Sequence, residues 1–322
     1  MIRFLTTSDH SYTLQSLADG TFGFPVPEVE VQTYECIILQ TEVAKATYVF
    51  TDLERLTPAE TRVASCLYQA LRQAGLRVLN DPARVKLRVE FLREMHRHGI
   101  NPFRAYRADD NPQPDRFPVF LRSENDHLKS GSALILDRRE LEAALAKLQS
   151  DGVPLRGMLV IEFCSSPYAE GIWHKWGTLR AASTLSLDHI AVDDNWLVKT
   201  GQWEMLAESI VADEYDAVLS NRFADASRRA FDIACIEFGR ADHGLHEGKP
   251  IFYEINTNPF VGPYVRDSKL LRAETQILAR TRFAAALERI DCPDHGAIEL
   301  PPVGDLETYR RTGLGSAITR RP

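Results

Sequence analysis

The stretch that most constrains this chain is Tyr253-Glu254-Ile255-Asn256-Thr257-Asn258-Pro259, read together with Gly239-Arg240-Ala241-Asp242. Lys249 to Ile255 reads as a strand, with Ile251, Tyr253 and Ile255 on one face and Phe252, Glu254 and Asn256 on the other. Arg240 and Asp242 are two apart, so they share one face of a second strand. The polar segment His243 to Gly248 carries two glycines and reads as the turn between them. Such a hairpin gathers Arg240, Asp242, Glu254 and Asn256 on one surface. Two carboxylates and an amide oxygen suit Mg²⁺, which is usually held by one or two carboxylates while substrate phosphates supply the rest. An arginine beside them suits an anion. Singly, each residue has a plainer meaning. Glu-x-Asn on an edge strand is a solvated face, Asp242 a turn residue, and Arg240 a surface ion pair of little energetic value.

Composition limits what else the chain can be. Its 322 residues, 44% hydrophobic and 26% charged, give a globular protein with room for two or three lobes. The net charge of -7 argues against nucleic acid as the main partner, though a local basic pocket can still take ATP. Cys36, Cys66, Cys164, Cys235 and Cys292 are odd in number and scattered, which fits reduced thiols in a cytosolic protein rather than disulfides or a zinc site. The N-terminus has no long apolar core, and no stretch reaches the roughly 18 apolar residues of a membrane span. A cytoplasmic protein with no membrane partner is expected.

Along the chain, Cys36 to Leu39 and Tyr48 to Phe50 fit short strands. Thr57, Pro58 and Glu60 open a helix with an apolar stripe at Val63, Leu67, Ala70, Leu71 and Ala74, and Gly75 closes it. The strand Leu76 to Leu79 completes a βαβ unit and hence a parallel-sheet lobe. Asp81 and Pro82 open the next helix and Gly99 closes it, with Lys86 in its first or second turn. On its own Lys86 reads as a solvated helix lysine. Phe117 to Arg122 is a strand ending in a cation. The polar loop Ser123 to Ser132 follows, then a helix capped by Asp137 and Glu140. Gly157 to Phe163 is a buried strand, Ile172 to Leu179 alternates, and Trp196 to Lys199 reads as another strand. Two short helices, Glu204 to Val211 and Asp213 to Leu219, precede an amphipathic helix from Ala224 to Ala234. Ser268 to Ile290 reads as one long helix, and the Pro- and Gly-rich tail from Asp291 as loose.

Arg-x-Asp, a hairpin turn and Glu-x-Asn-x-x-Pro resemble the metal-binding end of the ATP-grasp superfamily, in its carboxylate–amine (or thiol) ligase branch. The other parts follow in family order over roughly residues 45 to 265. The resemblance implies an α/β fold of α+β lobes: an N-terminal parallel-sheet lobe (1–80), a central lobe (81–160), a C-terminal antiparallel-sheet lobe with the metal site (161–290) and a loose tail (291–322). It implies ATP and Mg²⁺, with the metal on Asp242, Glu254 and Asn256. Arg240 faces the acyl intermediates, and Lys86 and Arg122 face the phosphates. At Arg122 the family usually has lysine, so the chain departs from its pattern there. Lys129 or His127 in the 123–132 loop stands as a further phosphate contact, with a plain surface loop as the alternative. By resemblance Glu162, Phe163 and Cys164 form the adenine hinge, Glu170 meets the ribose hydroxyls, and Lys175 is a further basic residue of the nucleotide site. A loop glutamate without that role is the other reading of Glu170. Lys199 and Arg180 are candidates for the acceptor pocket. The implied partners are a small carboxylate and an amine; dimers are frequent in the family, so a homodimer is also among them.

The implied reaction activates a carboxylate with ATP as an acyl phosphate, releasing ADP, and an amine then displaces phosphate. No protein nucleophile is needed, because phosphoryl transfer asks chiefly for positioning and charge stabilisation. Two other readings remain: an ATP-grasp kinase that stops after phosphoryl transfer, and a nucleotide-binding pseudoenzyme.

Overall fold

The structure is a computed structural model that describes residues 1–125 and 132–312. His127 and Lys129 of the expected phosphate loop lie outside the described residues. The chain begins with β1 (Ile2–Thr6), α1 (Gln15–Ala18), β2 (Val29–Thr33), α2 (Tyr34–Ile38), β3 (Glu42–Ala44), β4 (Thr47–Phe50), α3 (Pro58–Gln73) and β5 (Val78–Leu79). Strands β2, β1, β4 and β5 form, in that order, a parallel sheet. Helix α3 starts with a reciprocal cap: Glu60 N donates to Thr57 Oγ1 at 3.3 Å, and Thr57 N donates to the Glu60 carboxylate at 2.8 Å. Val63, Ala64, Leu67, Ala70 and Leu71 then bury against the sheet. Cys36 to Ile38 belong to helix α2, not to a strand. The Thr33 hydroxyl caps this short helix at Cys36 N, and Ile37 and Ile38 reach the core from it.

Next come α4 (Arg88–Arg97), β6 (Ala105–Arg107), β7 (Val119–Ser123), α5 (Arg138–Ser150) and β8 (Met158–Glu162), with an antiparallel sheet ordered β6-β8-β7. Helix α4 starts later than the sequence suggests. Asp81 caps an isolated turn instead: its carboxylate accepts from Ala83 N, and its carbonyl accepts from Arg84 N and Val85 N. Lys86 therefore lies in the extended segment before the helix, where its backbone N–H donates to Ala234 O.

The remaining elements are β9 (Trp173–Ala181), β10 (Thr184–Asp193), α6 (Glu208–Ser220), α7 (Ala224–Ala234), β11 (Phe238–His246), β12 (Lys249–Asn256), α8 (Leu270–Glu288), β13 (Ala297–Glu299) and α9 (Leu306–Thr312). Their main sheet is antiparallel, ordered β10-β9-β11-β12. Helix α6 is continuous where two short helices were expected. Nothing between Val211 and Asp213 breaks it, and Glu214 is drawn inward to accept from Ile190 N and pair with Arg272. Residues 196–199 form no strand but an irregular segment. Among the described residues no helix is long and apolar enough to cross a membrane.

The tail departs from its expected looseness as far as the described residues run. β13 pairs antiparallel with β3, and Leu300, Leu306 and Tyr309 bury in the core of the first sheet. These apolar anchors, together with a free strand edge for pairing, outweigh a composition rich in proline and glycine.

Two asparagines lock the β11–β12 hairpin to the other lobes. Asn80, in left-handed backbone at φ 64°, donates to the carbonyls of Phe50 and Phe238 and accepts from the N–H groups of Glu237 and Phe238. Asn101 donates to Phe252 O at 2.8 Å and accepts from Phe252 N at 2.9 Å. Both are buried with their amide groups bonded. If the tail belongs to the core, Leu306→Ala should cost about 2–5 kcal/mol in urea unfolding; an unchanged midpoint would make it peripheral.

Candidate functional site

The β11–β12 register sets Asp242 opposite Glu254 and Arg240 opposite Asn256. The register slips after Asp242, leaving Tyr253 as the extra residue. The strands run on to His246 and Lys249, so the turn is only Glu247-Gly248, both at positive φ, rather than the whole of His243 to Gly248. Asp242, Glu254 and Asn256 line a cavity of about 340 Å³ between the central sheet and the β10-β9-β11-β12 sheet.

Among the described residues four cations meet the two carboxylates. The Glu254 carboxylate is bonded by Arg88 Nη2 and by Arg122 Nη2, the latter at 3.0 and 3.2 Å. Asp242 Oδ2 accepts from Lys175 Nζ at 2.9 Å, and Asp242 Oδ1 lies 3.4 Å from Arg240 Nε. Burial pushes the Asp242 carboxyl upward, but Lys175 and then Arg240 overcome that, and it sits below its ordinary value. The Arg240 guanidinium lies over Gly177, where any Cβ would collide with it.

Sequence reasoning named Arg122, Lys175, Arg240, Asp242, Glu254 and Asn256, and the fold brings them to this one region. It missed Arg88, the first residue of α4. Arg88 Nη1 also donates to the carbonyls of Ser123 and Glu124, at 2.8 and 2.7 Å, which fixes the guanidinium against the end of β7. Lys86 does not line the cavity; its Nζ donates to Ile233 O at 2.6 Å and lies 3.8 Å from Cys235 Sγ. The late helix start is the reason, since it turns residue 88 rather than 86 toward the carboxylates.

At the far end, Phe163 meets Trp173 and Trp196 edge-on at 5.8 and 5.3 Å, and Phe120 lies 5.0 Å from Trp196. The irregular segment 196–200, including Lys199, lines the cavity. Glu162 also lines it, but its buried carboxylate is tied to the central lobe by the N–H groups of Arg104 and Asp115 and by the Tyr106 hydroxyl. Cys164 is part of the same wall, its thiol pushed up chiefly by burial. Tyr253 donates to Ser165 Oγ, and burial drives its phenol to about 12. Glu170 is exposed in the turn between Ala169 and Ile172 and does not line the cavity. Arg180 points elsewhere, bonding Asp232 and Ala182 O.

The donor set fits a hard divalent cation completed by a ligand, not a closed protein cage: two carboxylates and one amide oxygen share a face. Among the described residues no group of three or more His, Cys, Asp or Glu is placed to hold a metal.

No protein-family model matches the sequence, and no curated protein matches it. The fold is similar to that of D-alanine–D-alanine ligase from Bacillus anthracis, at TM-score 0.50 and 12% identity over 90% of this chain and 97% of that one. A RimK domain ATP-grasp protein from Sphaerobacter thermophilus aligns at TM-score 0.49 and 15% identity, over 88% of this chain and 98% of that one. L-amino acid ligase from Bacillus licheniformis aligns at TM-score 0.43 and 11% identity, over 89% and 74%.

His174 on the cavity wall and His243 next to Asp242 are buried neutral. Desolvation lowers them to about 4 and about 3, and neither ring nitrogen of His174 has a hydrogen-bond partner. Unfolded, both protonate near 6.5, so the unfolded chain binds more protons below that pH. Stability should therefore be full above pH 6.5 and fall as the pH drops toward 4. His174→Phe should flatten that slope by on the order of 3 kcal/mol between pH 7 and 4, measured by denaturant unfolding. An unchanged slope would mean His174 is not held neutral.

Proposed function

From the ATP-grasp fold of this chain and the charges in its cavity, we propose an ATP-dependent ligase that activates a carboxylate as an acyl phosphate for attack by an amine, releasing ADP. The observation that carries the reading is the set of four cations folded onto Asp242 and Glu254. Two carboxylates against four cations leave a surplus of two positive charges. That surplus is opposite in sign to the net negative charge of a magnesium triphosphate and so complements it. Arg88, Arg122 and Lys175 are then placed to release the carboxylates and take phosphate oxygens, the arginines in bidentate fashion. Mg²⁺ on Asp242, Glu254 and Asn256 would bridge phosphate oxygens and neutralise charge developing on them. The Phe120, Phe163, Trp173 and Trp196 rings offer apolar faces at the base end. Arg240, paired with Asp242 and next to Gly177, is placed to meet the oxyanion formed when the amine attacks.

A screen of small carboxylic acids and amines for ADP release tests the reading. ADP together with an amide supports it. ADP with a phosphorylated acceptor and no amide would replace it with a kinase, and nucleotide binding without turnover would leave a binding protein. Glu254→Gln should lower ADP release by on the order of a hundredfold or more with the melting temperature retained. Unchanged turnover in that variant removes Glu254 from the site.

A further inference from the structure

A second cluster of chemistry-bearing side chains lies at the end of the N-terminal sheet. In an open parallel sheet, ligands bind outside the carboxyl ends of the strands, where the strand order reverses. Here that point lies between β1 and β4, because the chain passes from β1 to β2 on one side and then to β4 and β5 on the other. Thr7 and Asp52 lie just beyond the carboxyl ends of those two strands.

Two residues there hold irregular backbone. Asp52 is left-handed at φ 58°, and His10 interrupts the Ser8–Leu14 3-10 helix at φ -124°. Asp52 is 1% exposed. One of its oxygens accepts from Thr7 N and the Thr7 hydroxyl, and the other faces His10 Nδ1 at 3.1 Å and Arg55 Nε at 3.4 Å. With Nδ1 facing the Asp52 carboxylate, Nε2 is the ring nitrogen turned away from it. A histidine oriented by a buried carboxylate is the arrangement of a general base.

Hydrogen bonds tie the segments that carry the pair to the residues just after β12. Asn258 donates to His10 O and to Thr6 Oγ1 and accepts from Thr13 Oγ1. Thr257 Oγ1 accepts from Leu53 N and donates to the Glu54 carboxylate. Asn258 is two residues beyond Asn256, at most ~7 Å of chain. The nucleotide cavity, by contrast, draws no lining residue from before Arg88. Among the described residues the one imidazole on its wall is His174, with both ring nitrogens buried. The charged groups around His10 are Asp52, Arg55 beyond it, the half-buried Glu54 behind Thr257, and Asp9 next in the chain; the Tyr12 ring lies edge-on at 5.7 Å.

We propose that His10, oriented by Asp52, is the base that takes a proton from the acceptor's ammonium group, so the acceptor is an amine that arrives protonated. The inference rests on the ligase reading above. His10 Nε2 accepts the N–H proton, and the freed lone pair of the amine forms the C–N bond to the acyl carbon. The C–O bond to phosphate breaks, and phosphate leaves with its electron pair, taking the second proton of the attacking nitrogen as hydrogen phosphate. Asp52 stabilises the imidazolium until its proton passes to solvent.

The test uses the full-length protein with ATP, Mg²⁺ and a mixture of the proteinogenic amino acids, scored for amide product by mass spectrometry. A parallel reaction adds excess hydroxylamine, which is largely unprotonated at neutral pH and traps the acyl group as a hydroxamate without needing a base. His10→Gln and Asp52→Asn should form hydroxamate at the wild-type rate and lose amide formation by on the order of 10²–10⁴-fold. Asparagine tolerates left-handed backbone, so Asp52→Asn keeps the turn. The residual amide rate of both variants should keep rising with pH, where that of the wild type levels off. Equal loss of both products, or no loss of amide, overturns the assignment. Wild-type protein that makes neither product removes the ligase reading itself, a failure distinct from the first two.

Discussion

Two carboxylates directly opposite each other on paired strands repel, and the β11–β12 register forces Asp242 and Glu254 into that position. Both are largely buried, so the repulsion is not screened by water. The protein answers with cations from separate elements: Arg88 from α4, Arg122 from β7, Lys175 from β9 and Arg240 from β11 itself. The central and C-terminal lobes thus meet through charges that neither lobe balances alone. On the proposed reading, a metal cation that took the place of the arginines on Glu254 would free them for an anion.

The hairpin is not left to these charges alone. Asn80 fixes the start of β11, Asn101 holds the middle of β12, and Thr257 and Asn258 tie the segment after β12 to the N-terminal lobe. Each lobe therefore grips the hairpin by hydrogen bonds to buried groups, which are costly to leave unmade. Such rigid support suits a site whose chemistry depends on position.

The readable parts of this site are local. Alternation in Lys249 to Asn256 and the spacing of Arg240 and Asp242 define a hairpin without any distant information. What was misread depends on distant partners. Lys86 was placed on a helix because Asp81-Pro82 mimics a helix start, whereas α4 begins at Arg88 after Leu87, a residue with no capping side chain. Trp196 to Lys199 read as a strand because the run is apolar, but its Trp196 is drawn to Phe120 and Phe163 on the cavity wall. The tail read as loose from its composition, and only the exposed edge of β3 and the core beneath it give β13 and α9 a place. His10 and Asp52 are 42 residues apart and carry no shared motif, so the fold alone joins them.

The central claim is that metal and triphosphate take over the two carboxylates and their cations together. Calorimetric titration with a non-hydrolysable ATP analogue, with Mg²⁺ and then with chelator, measures this most directly. Bound without metal, the triphosphate would compete with the buried Glu254 carboxylate for Arg88 and Arg122 and bring like charge beside it, which is unfavourable. The account predicts tight binding with Mg²⁺ and a large loss of affinity without it. Equal affinity in the two conditions would contradict it.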